Sequence, residues 1–223
     1  LKIPDAIAID GPVASGKTAV GRGIARKLGM RFLDTGVMYR AITWIALDRD
    51  LDIGDEDQLS TLAELVTMTL VAGDSEDRLL LDELDVTDHL RDAMVERHVS
   101  AVSAVARVRV ALVERQRDIA RQGPVVMVGR DIGTVVLPNA DFKAFLDASV
   151  NVRALRRHLE TVAEGLESNL EQVKADLARR DKLDTERDNS PLRAAEDAAM
   201  INTDDLGLEE VITKMLKLME SSK

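Results

Sequence analysis

Cysteine is absent from these 223 residues, which excludes disulfides and thiolate metal sites. Aromatic residues make up only 2% of the chain, three Phe with one Trp and one Tyr. Aliphatic side chains must therefore fill the core, and no surface rich in stacking rings is available for single-stranded bases. Positive charge is in deficit: 30 Lys and Arg stand against 40 Asp and Glu, a formal net charge of −10. Non-specific binding to DNA or RNA is driven by phosphate neutralisation, so this balance argues against a nucleic-acid partner while leaving room for a local basic pocket. No stretch approaches the roughly 20 apolar residues that span a bilayer. Leu1 to Ile9 is too short for a signal-peptide apolar region ahead of the first motif. The expectation is a cytoplasmic protein with no membrane partner. The three histidines, His89, His98 and His158, show no metal-ligand spacing.

What is present is ordinary globular material, 45% hydrophobic and 31% charged, enough for one core or a core carrying a smaller insert. Ala6-Ile7-Ala8-Ile9 reads as a buried strand, and Gly16 to Leu28 as a helix with Val20, Ile24 and Leu28 on one face. Arg31 to Asp34 reads as a second strand, followed by a helix carrying Tyr39, Ile42, Ile45 and Ala46. Two β-prone runs, Thr67–Val71 and Arg78–Leu81, flank the turn signal Gly73-Asp74-Ser75 and interrupt the strand–helix alternation. They mark an inserted small domain. A long helical region from about Val99 to Gln122 stops at Gly123-Pro124. Val125 to Val128 is apolar without alternation, as a central parallel strand requires, and Phe142 to Leu146 is another strand. Charged helices are expected over about Val152–Glu164 and Leu170–Arg180, a last strand at Met200-Ile201-Asn202, and a closing helix from Leu208 to Met219. Repeated strand–helix units imply an α/β fold with a parallel sheet flanked by helices.

Gly11-Pro12-Val13-Ala14-Ser15-Gly16-Lys17-Thr18 satisfies G-x-x-x-x-G-K-[ST] between a predicted strand and a predicted helix. Glycines let the backbone amides wrap a phosphate, and the helix N-terminus adds partial positive charge. Lys17 would reach the β- and γ-phosphates, and the Thr18 hydroxyl would ligate Mg2+. The motif implies a nucleoside triphosphate site; alone it does not separate a kinase from a GTPase or an ATPase. A kinase needs a second anion site, for which arginine is suited by its bidentate fork and permanent charge. Arg40 and Arg130 fall after apolar strands, where ligands of such sheets bind. Arg153, Arg156 and Arg157 cluster on one late helix, while Arg179, Arg180 and Arg187 close the next. For Arg153 and Arg179 a solvated helix face is the alternative reading.

Four segments carry a family resemblance. Leu33-Asp34-Thr35-Gly36-Val37-Met38-Tyr39-Arg40 resembles the LD-[ST]-G-x-x-YR segment of bacterial cytidylate kinases. Val128-Gly129-Arg130-Asp131-Ile132-Gly133-Thr134-Val135-Val136 resembles their GRD-[IM]-GTVV segment, and Phe145 to Ser149 their FLDAS. Arg179-Arg180-Asp181 through Arg187 resembles the closing part of their lid. The likeness runs from Ile7 to the last helix. It implies a P-loop nucleoside monophosphate kinase fold: a core of residues 1–58 and 101–223, an inserted CMP-binding domain of residues 59–100, and a short helical lid at about 153–187.

The resemblance also implies roles. Thr35, Tyr39 and Arg40 would hold the phosphate side of CMP, and Ser100, Arg109 and Asp131 would face cytosine. Arg130, Arg180 and Arg187 match phosphate- or ribose-contacting arginines, and Asp184 matches the ribose-binding carboxylate. Lys17, Arg130, Arg157 and Arg187 are the candidate catalytic groups. Chemistry favours part of this independently, because a carboxylate such as Asp131 accepts from cytosine's amino group, and uracil reverses that polarity. Plainer roles remain open: Asp131 as a turn cap, Ser100 as an ordinary helix serine, Tyr39 as core. Asp34 is a candidate outer-shell carboxylate for Mg2+. The implied reaction moves the γ-phosphoryl of ATP to CMP or dCMP in a monomeric enzyme; UMP, AMP or another small acceptor is the alternative. A GTPase-type switch is disfavoured, since no N-K-x-D segment occurs.

Overall fold

The computed structural model describes residues 4–71 and 78–221. The chain divides into two compact units, Leu1–Leu33 with Ile119–Lys223, and Asp34–Asp118.

The first unit is built on a five-stranded sheet of β1 (Ala6–Asp10), β2 (Arg31–Asp34), β6 (Val125–Gly129), β7 (Phe142–Asp147) and β8 (Ala199–Asn202), in the order β2-β6-β1-β7-β8. β1 pairs in parallel with β6 and with β7, and β7 in parallel with β8. Ile7, Ala8 and Ile9 on β1 and Val125 to Val128 on β6 are buried, which explains their unbroken apolar runs. The apolar face of α1 (Lys17–Leu28), with Val20 and Ile24, joins this core. So do Val211, Ile212, Met215 and Met219 of α8 (Leu208–Ser221), at helical spacing. In register, Asp10 lies opposite Gly129 and Phe145. The loops that leave β1 and β6 therefore depart from neighbouring strands at one level of the sheet. α6 (Val150–Ala163) and α7 (Leu170–Glu186) pack on each other between β7 and β8 in the chain.

The second unit holds α2 (Thr35–Asp48), α3 (Glu56–Leu65) and an antiparallel sheet of β3 (Met68–Val71), β4 (Arg78–Leu81) and β5 (Leu84–Asp85). Met68 pairs with Leu81 and Val71 with Arg78, so the two β-prone runs are indeed partners. The turn signal Gly73-Asp74-Ser75 lies outside the described residues. β4 and β5 are joined through Asp82 and Glu83, both at positive φ (46° and 75°), the conformation of a tight hairpin turn. α3 and β5 are elements that the sequence pattern does not announce.

The single helix expected over Val99–Gln122 is instead two, α4 (Ala93–Ala104) and α5 (Ala106–Arg121), broken at Val105. No proline or glycine marks the break. Ser103 Oγ donates to the Ser100 carbonyl at 3.0 Å, and the Ser103 carbonyl accepts from Arg109 Nη1 at 3.2 Å. Side chains thus bond to two carbonyls at the end of α4. α7 also differs: it extends six residues past Arg180, so Arg179 and Arg180 lie inside it and Arg187 is its C-cap.

Ile9 is fully buried in the central strand. Ile9→Ala is expected to lower the unfolding free energy by about 3 kcal/mol. Urea denaturation checks this as a lower midpoint at unchanged slope.

Candidate active site

The glycine-rich loop joins β1 to α1. Gly11 has φ 149°, and a Cβ there would overlap the Leu146 carbonyl of β7, so only glycine fits against that strand. Ala14 adopts φ 59°, a left-handed residue inside the loop. Gly16 is the N-cap of α1 and offers no side-chain cap, and the first turn of the helix carries no acidic residue. Lys17 is buried; its Nζ donates to the Pro12 carbonyl at 2.5 Å and lies 3.3 Å from Ser15 Oγ. The ammonium is thus folded over the loop it belongs to.

β6 ends at Gly129, and Arg130 and Asp131 follow at once. A π-helical turn, Ile132–Val136, comes next, with Val136 N–H donating to the Asp131 carbonyl and Leu137 N–H to that of Ile132. Asp131 makes no side-chain cap for this turn, so the capping role considered above is not observed; its carboxylate lies 3.9 Å from Arg187 Nη2. The turn is capped from β1 instead. Asp10 Oδ1 accepts from Ile132 N–H and Oδ2 from Gly133 N–H, each at 2.7 Å. Burial pushes the Asp10 carboxyl up to about 6, reinforced by the Asp131 charge and opposed by the Gly133 and Ile132 amides and by Lys17. Sequence reasoning missed Asp10. Its signal was an acidic residue closing an apolar strand immediately before the first motif glycine.

Arg130, Arg180 and Arg187 converge on Asp184. Arg130 Nε donates to Asp184 Oδ2 at 2.9 Å. Burial would raise this carboxyl, but the three guanidinium charges and the Arg130 hydrogen bond prevail and hold it below its usual value. Arg187 Nε also donates to the Ser190 carbonyl at 2.6 Å. Arg157 is engaged elsewhere, on α6, with its Nη1 3.6 Å from Glu160. Arg153 is no solvated face: it is 5% exposed, donates to the carbonyls of Ala148 (2.8 Å) and Val13 (3.2 Å), and forks onto Asp181. It therefore ties the glycine-rich loop to both late helices. Arg156 donates to the Thr203 carbonyl and hydroxyl. Arg179 lies 3.6 Å from Asp176 and is largely exposed, as the solvated reading has it.

In the second unit, the Asp34 side chain caps α2 by accepting from Gly36 N–H at 2.9 Å, which engages the carboxylate named above for Mg2+. Thr35 and Tyr39 are buried. Tyr39 is part of the core, and the Arg109 guanidinium stands 5.3 Å over its ring. Arg40 Nε donates to Glu96 Oε1 of α4 at 2.7 Å. Gly36 leaves the space Arg40 uses, because a Cβ there would come 2.8 Å from Arg40 Nη1. Ser100 is half-buried in α4, and its carbonyl serves Ser103.

No cluster of three or more His, Asp or Glu suited to a metal exists among the described residues. Mg2+ keeps most of its waters and binds through phosphates plus one or two protein oxygens. The exposed Thr18 hydroxyl at the start of α1 is such an oxygen.

The Cytidylate kinase family profile matches residues 7–221. The cytidylate kinases of Carboxydothermus hydrogenoformans and Bacillus cereus are each 46% identical over 213 residues; these cover 96% of this chain and 96% and 95% of the relatives. The chain belongs to the cytidylate kinase family. The fold is shared more widely among kinases. A gluconokinase from Sinorhizobium meliloti superposes with TM-score 0.55 at 14% identity, covering 99% of this chain and 94% of that one. An uncharacterised protein from Eubacterium ventriosum gives TM-score 0.52 at 12% identity, covering 97% and 98%. The family's P-loop and GRD segments are the two loops that leave β1 and β6 side by side. No helix among the described residues is long and apolar enough to cross a membrane.

The Asp10 carboxyl predicts a pH signature. Its folded pKa, about 6, lies above the ordinary 3.8, so folding takes up a proton between those values. The stability from that uptake is fully present below about 3.8 and is lost as pH rises through about 6. Asp10→Asn cannot titrate, so its Tm relative to the parent should improve from pH 4.5 to pH 7 in thermal melts.

Proposed function

We propose that this chain transfers the γ-phosphoryl group of ATP to CMP and dCMP, giving ADP with CDP or dCDP. The observation that carries the reading is the match of the cytidylate kinase family across residues 7–221, which spans the phosphate loop and the whole arginine cluster. Residues Gly11 to Thr18 hold the ATP phosphates, with the loop amides and Lys17 supplying positive charge. Lys17 exchanges its contacts with Pro12 and Ser15 for phosphate oxygens when nucleotide binds. Mg2+, held by Thr18 and the phosphates, supplies further charge neutralisation when bound.

On the acceptor side, Thr35, Tyr39 and Arg40 hold the CMP phosphate. Arg109, Ser100 and Asp131 read cytosine, and Asp184 and Arg180 meet the ribose. Arg130 and Arg187 neutralise charge that develops during transfer. Arg157 on α6 joins them when α6 and α7 close as a lid, which keeps water from the γ-phosphate. A phosphate monoester has a second pKa near ~6, so the acceptor is dianionic at neutral pH and attacks in line without a dedicated base. The enzyme works in the cytoplasm as a monomer.

An acceptor screen with CMP, dCMP, UMP and AMP at fixed Mg·ATP, read by coupled ADP detection, tests this. CMP and dCMP should be preferred over UMP and AMP. Preference for UMP or AMP would place the chain with another acceptor class. Lys17→Ala and Arg130→Ala should each lower kcat by about 100- to 1,000-fold while circular dichroism stays unchanged. Turnover near the parent's in either variant would remove that residue from the mechanism. Gly36→Ala should raise KM for CMP by displacing the Arg40 guanidinium, with KM for ATP unchanged.

A further inference from the structure

We infer that Asp10 is a positioning residue for the acceptor nucleotide: from the end of β1 its carboxylate fixes the turn that follows Arg130 and Asp131, and so fixes where those two side chains stand. This rests on the reading above that Arg130 and Asp131 contact the acceptor.

A helical turn leaves its first amides without internal partners, and a side chain just before the turn usually serves them. Here the residue in that position is Asp131, and it makes no such cap. Asp10, 122 and 123 residues from these amides in sequence, takes both, one on each carboxylate oxygen. The capping task and the contact task thus fall to two different carboxylates. Asp131 is oriented by a backbone that Asp10 anchors.

The other side of the turn is closed as well. A Cβ on Gly133 would stand 3.2 Å from Lys143 Cδ and 3.4 Å from Asp10 Oδ2. Lys143 is itself held, its Nζ donating to the Pro138 carbonyl at 2.5 Å and to Asp197 at 2.9 Å. The turn therefore sits between a fixed lysine stem and a fixed carboxylate. Asp10 is buried, with 3% exposure, a costly place for a carboxylate. Two parallel N–H donors from consecutive residues require two acceptor oxygens on one rigid group, which a carboxylate offers and a carboxamide does not.

Asp10→Asn keeps the shape and removes one acceptor. Amide exchange of Ile132 and Gly133 should quicken by about tenfold, the loss of one hydrogen bond, with residues 11–18 unchanged. In steady-state kinetics, KM for CMP should rise by about 10- to 100-fold and the CMP over UMP preference should narrow, with KM for ATP within about twofold of the parent. Gly133→Ala, which leaves Asp10 intact and wedges the turn, should give the same split in milder form. Unchanged exchange at Ile132 and Gly133 overturns the inference. So does an equal loss on CMP and ATP, which would make Asp10 a support of the phosphate loop, or no loss on either. Parent enzyme that transfers nothing to CMP would defeat the CMP assignment instead, and exchange would then decide alone whether Asp10 holds the turn.

Discussion

Guanidinium groups gathered in one place repel each other, and in a chain of net charge −10 the remedy is at hand. Several of the arginines drawn inward are met by carboxylates. Asp184 sits among Arg130, Arg180 and Arg187; Asp181 takes the fork of Arg153; Glu96 takes Arg40. Without these partners the buried positive charges would be desolvated and mutually repulsive, and the protein would have to expose them or shed stability. With them, the arginines are held in place within each unit by side chains of the chain itself. The global acidity and the local basicity are therefore two sides of one arrangement.

The sheet supplies the spacing. Parallel pairing puts Asp10 level with Gly129, so the phosphate loop and the GRD segment start side by side from adjacent strands. Gly11 lets the first loop lie against β7, where any side chain would strike the Leu146 carbonyl. Arg153 then links that loop, through the Val13 carbonyl, to Asp181 on α7. The late helices are in this way tied to the glycine-rich loop. Arg157, half-exposed beside Glu160, lies on the same pair of helices without such an anchor.

Much of this was legible in the sequence, for local reasons. The P-loop announces itself because glycine, lysine and threonine must occur at fixed offsets to surround a phosphate. The central strands do so because burial on both faces forbids polar residues. The helix break at Val105 was not legible: no proline or glycine marks it, and the contacts of Ser103 Oγ and Arg109 Nη1 beside it exist only once the chain has folded. Arg153 was ambiguous for the same reason, since a charged residue on a helix looks alike whether solvated or clasped by two carbonyls and a carboxylate. α3 and β5 are short, and their patterns are too brief to stand out from turns.

The sequence by itself determined the phosphate-loop motif and the central strands with their flanking helices, because motif spacing and apolar periodicity are properties of neighbouring residues, and four short segments carried the family resemblance. Only the tertiary structure decided which acid serves which task. Asp10, Asp131 and Asp184 are the same residue type in sequence, and their roles as turn anchor, neighbour of Arg187 and centre of three arginines arise from partners up to 123 positions away. A carboxylate's function is set by the donors that surround it, and those donors are assembled by long-range packing, which no local pattern encodes.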